Sequence, residues 1–167
     1  MTRTNGTGRR KSRRQARPAF TLVELVITVL IIGILATVTI PRFGKSVTHF
    51  QLRSAAKQII ADLEYARQYA KKKGKSQAVV FTPAAETYEL SGVADVNHSA
   101  QPYLVNLTKT PYPAELVAVS FGPTGTDSTV NFDMRGNVDY GGSVVASVGS
   151  QQLTIVVNAL TGKASIQ

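Results

Sequence analysis

The chain lacks cysteine and has only two histidines, His49 and His98. Without cysteine there is no disulfide, no thiol nucleophile and no thiolate metal ligand. The histidines do not lie at metal-ligand spacing. The sequence also has no Gly-x-Ser-x-Gly motif and no phosphate-binding glycine loop. We therefore predict no metal, no cofactor and no catalysis, and a secreted enzyme behind a signal peptide is a hypothesis without a visible site.

Acidic residues are missing from residues 1–19, which hold seven basic ones. The formal net charge of +9 depends mostly on this segment, because the remainder has twelve basic and ten acidic residues. The whole-chain charge would indicate nucleic-acid binding only if the segment is retained. The seven basic residues are Arg3, Arg9, Arg10, Lys11, Arg13, Arg14 and Arg17.

Charge is also missing from Leu25 to Ile40, within an apolar segment that begins at Phe20. A helix rises about 1.5 Å per residue, so roughly 20 such residues span the hydrocarbon core of a membrane. The one charge of the segment is Glu24, and a carboxylate in a span costs about 2.5–3.5 kcal/mol near the centre and less near an end. We expect Glu24 to be paired by a neighbouring chain or by a terminus made by cleavage.

The basic tail beside this segment predicts a cytoplasmic N-terminus, with everything after Ile40 outside. Two simpler interpretations of residues 1–40 are a secretory signal peptide and a plain signal-anchor. Both leave Glu24 unexplained. The segment is also long for a signal peptide, and the residues after Ile40 lack a clear cleavage site.

Pro41 predicts a kink or a lost hydrogen bond in the helix. An amphipathic helix is then predicted over residues 46–73. Three apolar residues lie off its main stripe and either widen the core face or meet other subunits: Val47, Phe50 and Ile60. The stripe itself comprises Leu52, Ala55, Ala56, Ile59, Leu63, Ala66 and Ala70.

Four lysines end this helix, and Gly74 among them is the predicted C-cap. The cluster has two interpretations: favourable interaction with the helix C-terminus, or an electropositive patch for DNA or an acidic partner. The first is the pattern expected at a helix end. The lysines are Lys71, Lys72, Lys73 and Lys75.

From residue 76 the apolar residues alternate with polar ones, which predicts strands. A long helix followed by short strands predicts an α+β fold, with the helix packed on an antiparallel sheet. Residues 91–114 are predicted to be a loop. Asp127, Asp133 and Asp139 lack the spacing of a calcium loop and are expected at turns and strand ends. The predicted strands are Gln77–Thr82, Glu86–Leu90, Glu115–Phe121, Val130–Met134, Ser143–Val148, Leu153–Asn158 and Ala164–Gln167.

Residues 19–25 read AFTLVEL, which resembles the processing motif of type IV pilins and type II secretion pseudopilins. The resemblance implies that a prepilin peptidase cuts between Ala19 and Phe20 and that Phe20 is then N-methylated. It also implies that Glu24, the fifth residue of the mature chain, attracts the N-terminal ammonium of a neighbouring subunit. The family usually has glycine before the cut, where this chain has Ala19.

Three further segments resemble the minor pseudopilin H or FimT-like branch of this family: Ala66-Arg67, residues 132–136 (FDMRG), and residues 154–157 (TIVV) with residues 161–163 (TGK). The resemblance implies a structural subunit of a type II secretion pseudopilus or a type IV pilus. The alternative is a FimT-like minor pilin that binds DNA during uptake.

The resemblance implies four regions: a cleaved basic leader (1–19), a transmembrane and assembly helix (20–41), its amphipathic second half (42–75), and a periplasmic or extracellular β-domain (76–167). The chain would cross the inner membrane once. Its expected partners are the prepilin peptidase, other pilin or pseudopilin subunits, the inner-membrane assembly platform and membrane lipid.

Overall fold

The computed structural model describes residues 20–95, 97–109, 111 and 113–167, and of residues 38–45 it describes the backbone alone. The chain divides into two compact units, whose boundary in the sequence falls between Pro41 and Arg42. One helix, α1, runs from Leu22 to Lys73 and belongs to both units. All the strands that the described residues form lie in the second unit.

Both ends of α1 carry caps that the local sequence supplies. At the start, the side-chain oxygen of Thr21 accepts the backbone N–H of Glu24 at 3.2 Å, as an N-cap residue does. At the end, Gly74 has a φ of 62°, and the N–H of Lys75 donates to the carbonyl of Ala70 at 3.3 Å. This is the Schellman arrangement, and it confirms Gly74 as the C-cap.

The predicted apolar stripe of α1 is confirmed, since each of its seven residues is buried. Full burial of each large aliphatic side chain, such as Ile59 or Leu63, contributes about 1.5–3 kcal/mol. Ile60 is half-buried against the same core, so it widens the core face. Val47 and Phe50 are instead 51% and 60% exposed.

Within the described part of the chain, eight strands form two four-stranded antiparallel sheets. In the first sheet the spatial order is β3-β2-β1-β5, and in the second it is β4-β6-β7-β8. The first sheet comprises β1 (Gln77–Thr82), β2 (Thr87–Ala94), β3 (Pro102–Asn106) and β5 (Thr129–Phe132). The second comprises β4 (Glu115–Ser120), β6 (Gly142–Val148), β7 (Gln151–Val157) and β8 (Ala164–Ile166).

One hydrophobic core joins α1 to both sheets. Phe81 of β1 lies beside Tyr88 of β2, with ring centroids 5.5 Å apart, and stacks on Phe121 at 6.1 Å. Ile59 and Ile155 belong to the same buried cluster. The sheets and the helix are therefore fastened to one another by shared apolar burial.

The prediction of a loop over residues 91–114 is wrong. β2 continues to Ala94, and Pro102–Asn106 forms β3. The prolines misled the prediction, because Pro102 is the first residue of an edge strand, where a missing N–H costs nothing. β3 also has a weak alternation, with Tyr103 and Val105 half-buried and Leu104 52% exposed.

Candidate functional site

The N-terminal part of α1 carries the candidate assembly site. Every described side chain from Phe20 to Thr37 is exposed, with Phe20 at 74% and Leu22 at 78%. Glu24 is the one charged residue of this stretch and lies in the first turn of the helix. Among the helices that the described residues form, none is long and apolar enough for a membrane span.

Hydrogen bonds fix the backbone around Glu24. Its N–H donates to Thr21, and its carbonyl accepts the hydroxyl of Thr28 at 2.6 Å. The exposed carboxylate lies in the helix turn where the dipole is positive, which favours a negative charge. An exposed carboxylate in this position can form an ion pair with an ammonium group.

The predictions for Ala19 and Pro41 concern atoms that the structure does not describe. Ala19, the residue before the predicted cut, lies outside the described residues. Helical backbone continues through Pro41, and its side chain is not among those described, so the kink stays a prediction. Thr21 was missed, although Thr21 followed by Glu24 three residues later is a capping-box sequence.

The lysine cluster at the end of α1 is exposed, and its members have different neighbours. Lys73 places its Nζ 5.6 Å from the centre of the Tyr69 ring. The aliphatic part of Lys71 packs beside Gly136. All three lysines of the last turn lie where the helix dipole favours positive charge.

The segments singled out as similar to the pseudopilin H branch meet at one point. On α1, Nη1 of Arg67 donates to both carboxylate oxygens of Glu64, at 2.8 and 2.9 Å, and Nε of Arg67 donates to the carbonyl of Gly136 at 3.1 Å. Gly162 packs against that same carbonyl so closely that a Cβ would collide with it. The three segments therefore form one junction, defined by Arg67, Gly136 and Gly162.

Asp133 holds the turn that brings Gly136 to this junction. Its carboxylate accepts the N–H groups of Asn137 at 2.7 Å and Arg135 at 2.8 Å. These donors hold the pKa of Asp133 below its usual value.

Asp127 and Asp139 line a small cavity of about 150 Å³. No cluster of three acidic or histidine side chains is placed to hold a metal in the part of the chain that the structure describes.

A buried carboxylate was missed by the sequence reasoning. Asp62 on α1 is 8% exposed and accepts the hydroxyls of Tyr88 and of Tyr103, the latter at 2.8 Å. Burial raises the pKa of Asp62, and the two hydroxyls oppose the rise. The signal was present, because Asp62 borders the apolar stripe, three residues after Ile59 and four before Ala66.

Two known families match parts of the chain. The prokaryotic N-terminal methylation motif matches residues 14–40, and the family described as type II transport protein GspH matches residues 55–161. The GspH match covers more than half of the chain, and the chain therefore belongs to the GspH family. This family of minor pilins and pseudopilins consists of structural subunits of type IV pili or type II secretion pseudopili, which confirms the resemblance.

Two curated fimbrial proteins of Pseudomonas aeruginosa are each 36% identical to the chain over 76 residues, or 46% of this chain and 49% of theirs. The chain thus spans about half the length of these relatives.

Among solved structures, the type IV minor pilin FimU of Pseudomonas aeruginosa matches with a TM-score of 0.52 and 13% identity, over 71% of this chain and 90% of FimU. The minor pseudopilin EpsH of the Vibrio cholerae type 2 secretion system matches with a TM-score of 0.49 and 10% identity, over 70% of this chain and 96% of EpsH. At such identities the likeness to FimU shows the fold alone, which is a helix packed on antiparallel sheets.

Proposed function

We propose that the protein is a minor subunit of a type II secretion pseudopilus or a type IV pilus, assembled through the N-terminal part of α1. The observation that carries the proposal is Glu24, the one charged residue in the exposed apolar stretch from Phe20 to Thr37, whose backbone N–H is capped by Thr21 in the first turn of α1. A face this apolar needs lipid or other subunits to cover it. The same helix can meet both needs in turn, as membrane anchor first and filament core later.

The proposed maturation removes residues 1–19 by prepilin peptidase and N-methylates Phe20. The new ammonium and the carboxylate of Glu24 are each costly in lipid, and they offset one another when a second subunit brings its carboxylate to the first subunit's N-terminus. Residues 20–41 then serve as the assembly helix, residues 42–75 as its amphipathic second half, and residues 76–167 as the β-domain outside the inner membrane.

The test of assembly compares Glu24→Ala with Glu115→Ala, a control that removes an exposed carboxylate from the β-domain. We expect Glu24→Ala to insert in the membrane as the unaltered chain does but to be lost from the sheared filament fraction. Glu115→Ala should assemble normally. Recovery of Glu24→Ala in filaments at the normal level would exclude this mechanism.

The test of maturation is the intact mass and N-terminal sequence of the membrane-extracted protein. A chain that begins at methylated Phe20 supports the pilin pathway. A chain that begins near or beyond Ile40 would indicate ordinary signal-peptide cleavage and contradict the proposal. An intact Met1 would indicate a plain anchor, or a peptidase that does not accept Ala19.

DNA binding is a second candidate function. It is favoured by the exposed lysines at the end of α1, one of which, Lys73, lies over an aromatic ring. Basic contacts to phosphates weaken steeply with salt. Gel shifts at low and high salt, with the unaltered chain and a Lys71→Ala/Lys72→Ala variant, test it. Absence of a shift at low salt would exclude this function.

A further inference from the structure

A groove of about 570 Å³ lies between α1 and the start of β7, within the second unit. Gln151 of β7 forms one wall. The other wall is one side of α1, because its four residues follow the i, i+3, i+4, i+7 spacing of a helix face. These four residues are Ser46, His49, Phe50 and Arg53. We call the five lining residues the α1–β7 groove.

Packing and strand pairing hold the two walls in place. Leu52, between Phe50 and Arg53 in sequence, is 2% exposed, so this turn of α1 is fixed against the core. Opposite it, Gln151 pairs with Val148 across the two-residue turn that joins β6 to β7. A site whose walls are already ordered loses less conformational entropy when a ligand binds.

The α1–β7 groove combines cationic and polar side chains with exposed apolar ones. Arg53 and His49 are exposed, and among the described residues neither has an ion-pair or hydrogen-bond partner. Phe50 is 60% exposed, and its neighbour on α1, Val47, is 51% exposed. A guanidinium bonds strongly to phosphate oxygens. The groove therefore fits a ligand that has anionic oxygens beside apolar carbon.

No carboxylate in this part of the chain competes for such a ligand. The α1–β7 groove contains no acidic residue, and the sequence has none in residues 25–61. An anion that approaches this part of α1 meets positive charge alone, since the same stretch has four basic residues: Arg42, Lys45, Arg53 and Lys57.

The position of the groove in the chain indicates where the ligand comes from. Ser46 is the sixth residue after Ile40, where the apolar segment proposed to cross the membrane ends. The side chains of a helix lean toward its N-terminus, so Phe50 and Arg53 lean toward the turns that follow this segment. A phospholipid supplies a phosphate and apolar chains together, and the surface of a membrane offers it at high concentration.

We propose that the α1–β7 groove binds the headgroup of an anionic phospholipid before the subunit joins a filament. Arg53 and His49 bind the phosphate, and Phe50 and Val47 contact the carbon chains next to it. The inference rests on the proposed function, because a chain anchored through residues 20–40 holds the groove at a membrane surface. One basic residue beside an anionic lipid surface favours binding about fivefold.

The test reconstitutes the full chain in vesicles of phosphatidylcholine, with and without phosphatidylglycerol. A photo-crosslinking phenylalanine analogue at position 50 reports on the groove, whereas total lipid binding would also report on the basic residues before Phe20. We expect position 50 to label phosphatidylglycerol about fivefold more often, molecule for molecule, than phosphatidylcholine. The same analogue at Leu104, which is 52% exposed on β3, should show no preference.

Substitutions of Arg53 test the role of its charge. Arg53→Gln should lower the preference for phosphatidylglycerol about fivefold, and Arg53→Lys should retain most of it, because the ammonium still meets the phosphate. Arg135→Gln is the matched control, since it removes the same charge from an exposed arginine outside the groove. The neighbour of Arg135, Gly136, contacts Arg67, which lies about 21 Å along α1 from Arg53. This control should leave the preference unchanged.

Four results would overturn the headgroup site. They are equal labelling of the two lipids, a preference that Arg53→Gln leaves intact, an equal loss in Arg135→Gln, and an adduct only with a second copy of the chain.

Flotation and alkaline extraction of the same vesicles separate this proposal from the proposed function. A chain that is inserted but shows no lipid preference at position 50 overturns the headgroup site alone. A chain that is extracted at alkaline pH contradicts the membrane step of the proposed function and, with it, the headgroup site.

Discussion

Asp62 and Glu24 are two carboxylates of one helix in opposite situations. Glu24 is exposed in an apolar face, and its partner is proposed to come from another subunit. Asp62 is buried inside the molecule, and its described partners are the hydroxyls of Tyr88 and Tyr103. Burial makes a carboxylate costly, at Asp62 within the folded chain and at Glu24 once lipid or another subunit covers the apolar residues around it. Each therefore points to a role beyond the stability of the β-domain.

The raised pKa of Asp62 predicts how stability depends on pH. The carboxyl of Asp62 holds its proton more tightly in the folded chain than in the unfolded chain, where its pKa is near 3.8. The stability that Asp62 contributes through this proton is therefore fully present below pH 3.8 and is lost as the pH rises through the pKa of the folded state. We expect Asp62→Asn to remove this loss, because an amide can pair with both hydroxyls and does not ionise.

Urea unfolding of the unaltered chain and of Asp62→Asn, from about pH 4 to about pH 7, measures this difference. As the pH rises, the free energy of unfolding of Asp62→Asn should increase relative to that of the unaltered chain. Asp139→Asn, which alters an exposed carboxylate, serves as the comparison. A stability gap that stays constant with pH would show that Asp62 is not the titrating group.

At the scale of the elements, the turns depend on two glycines with different surroundings. Gly74 ends α1 with a φ of 62°, and a Cβ there would meet nothing within 4 Å. Gly162 has a φ of 65°, and a Cβ there would collide with the carbonyl of Gly136. The first position tests backbone conformation alone, and the second adds a steric conflict at the junction with Arg67.

We predict that Gly74→Ala lowers the free energy of unfolding by about 1–2 kcal/mol, the cost of a side chain in left-handed backbone. Gly162→Ala should cost more, because its neighbour is backbone and cannot move aside without disturbing the hydrogen bond from Arg67. Paired urea titrations compare the two. Equal losses would mean that the junction relaxes freely.

Much of this element structure could be predicted from the sequence. The stripe from Leu52 to Ala70 followed from helical spacing, and β1 followed from alternation with its bounds intact. These patterns are local, since each residue's neighbours in sequence determine its face. β3 could not be predicted, because a loop separates it in sequence from its pairing partner β2. In addition, its first residue is a proline, which in a sequence usually indicates the end of a strand.

Of the candidate site, the N-terminal residues could be predicted from the sequence, and the contacts between distant residues could not. Phe20 and Glu24 stand out in a local apolar context. The junction of Arg67, Gly136 and Gly162 could be noticed only through resemblance, because contacts between residues 69 positions apart leave no local pattern. The contact between the rings of Tyr65 and Tyr103, whose centres lie 5.9 Å apart, has the same limit, since Tyr103 reaches Tyr65 only after β3 joins the sheet.

At the scale of the whole molecule, the charge is unevenly distributed along the chain. The full sequence has a pI near 10.0, and seven of its 19 basic residues precede Phe20. We predict that the mature protein focuses at a clearly lower pH than the unprocessed chain. Isoelectric focusing of chains made with and without active prepilin peptidase measures this. Identical focusing positions would mean that residues 1–19 are retained.

The buried stripe of α1 also determines how the β-domain would carry tension. The contacts from Leu52 to Ala70 extend along about 27 Å of helix, at 1.5 Å per residue. A pull along the helix axis loads these contacts together, in shear, instead of peeling them apart one at a time. The β-domain should therefore yield at a higher force when it is pulled along α1 than when β8 is pulled away from β7, a pairing only three residues long.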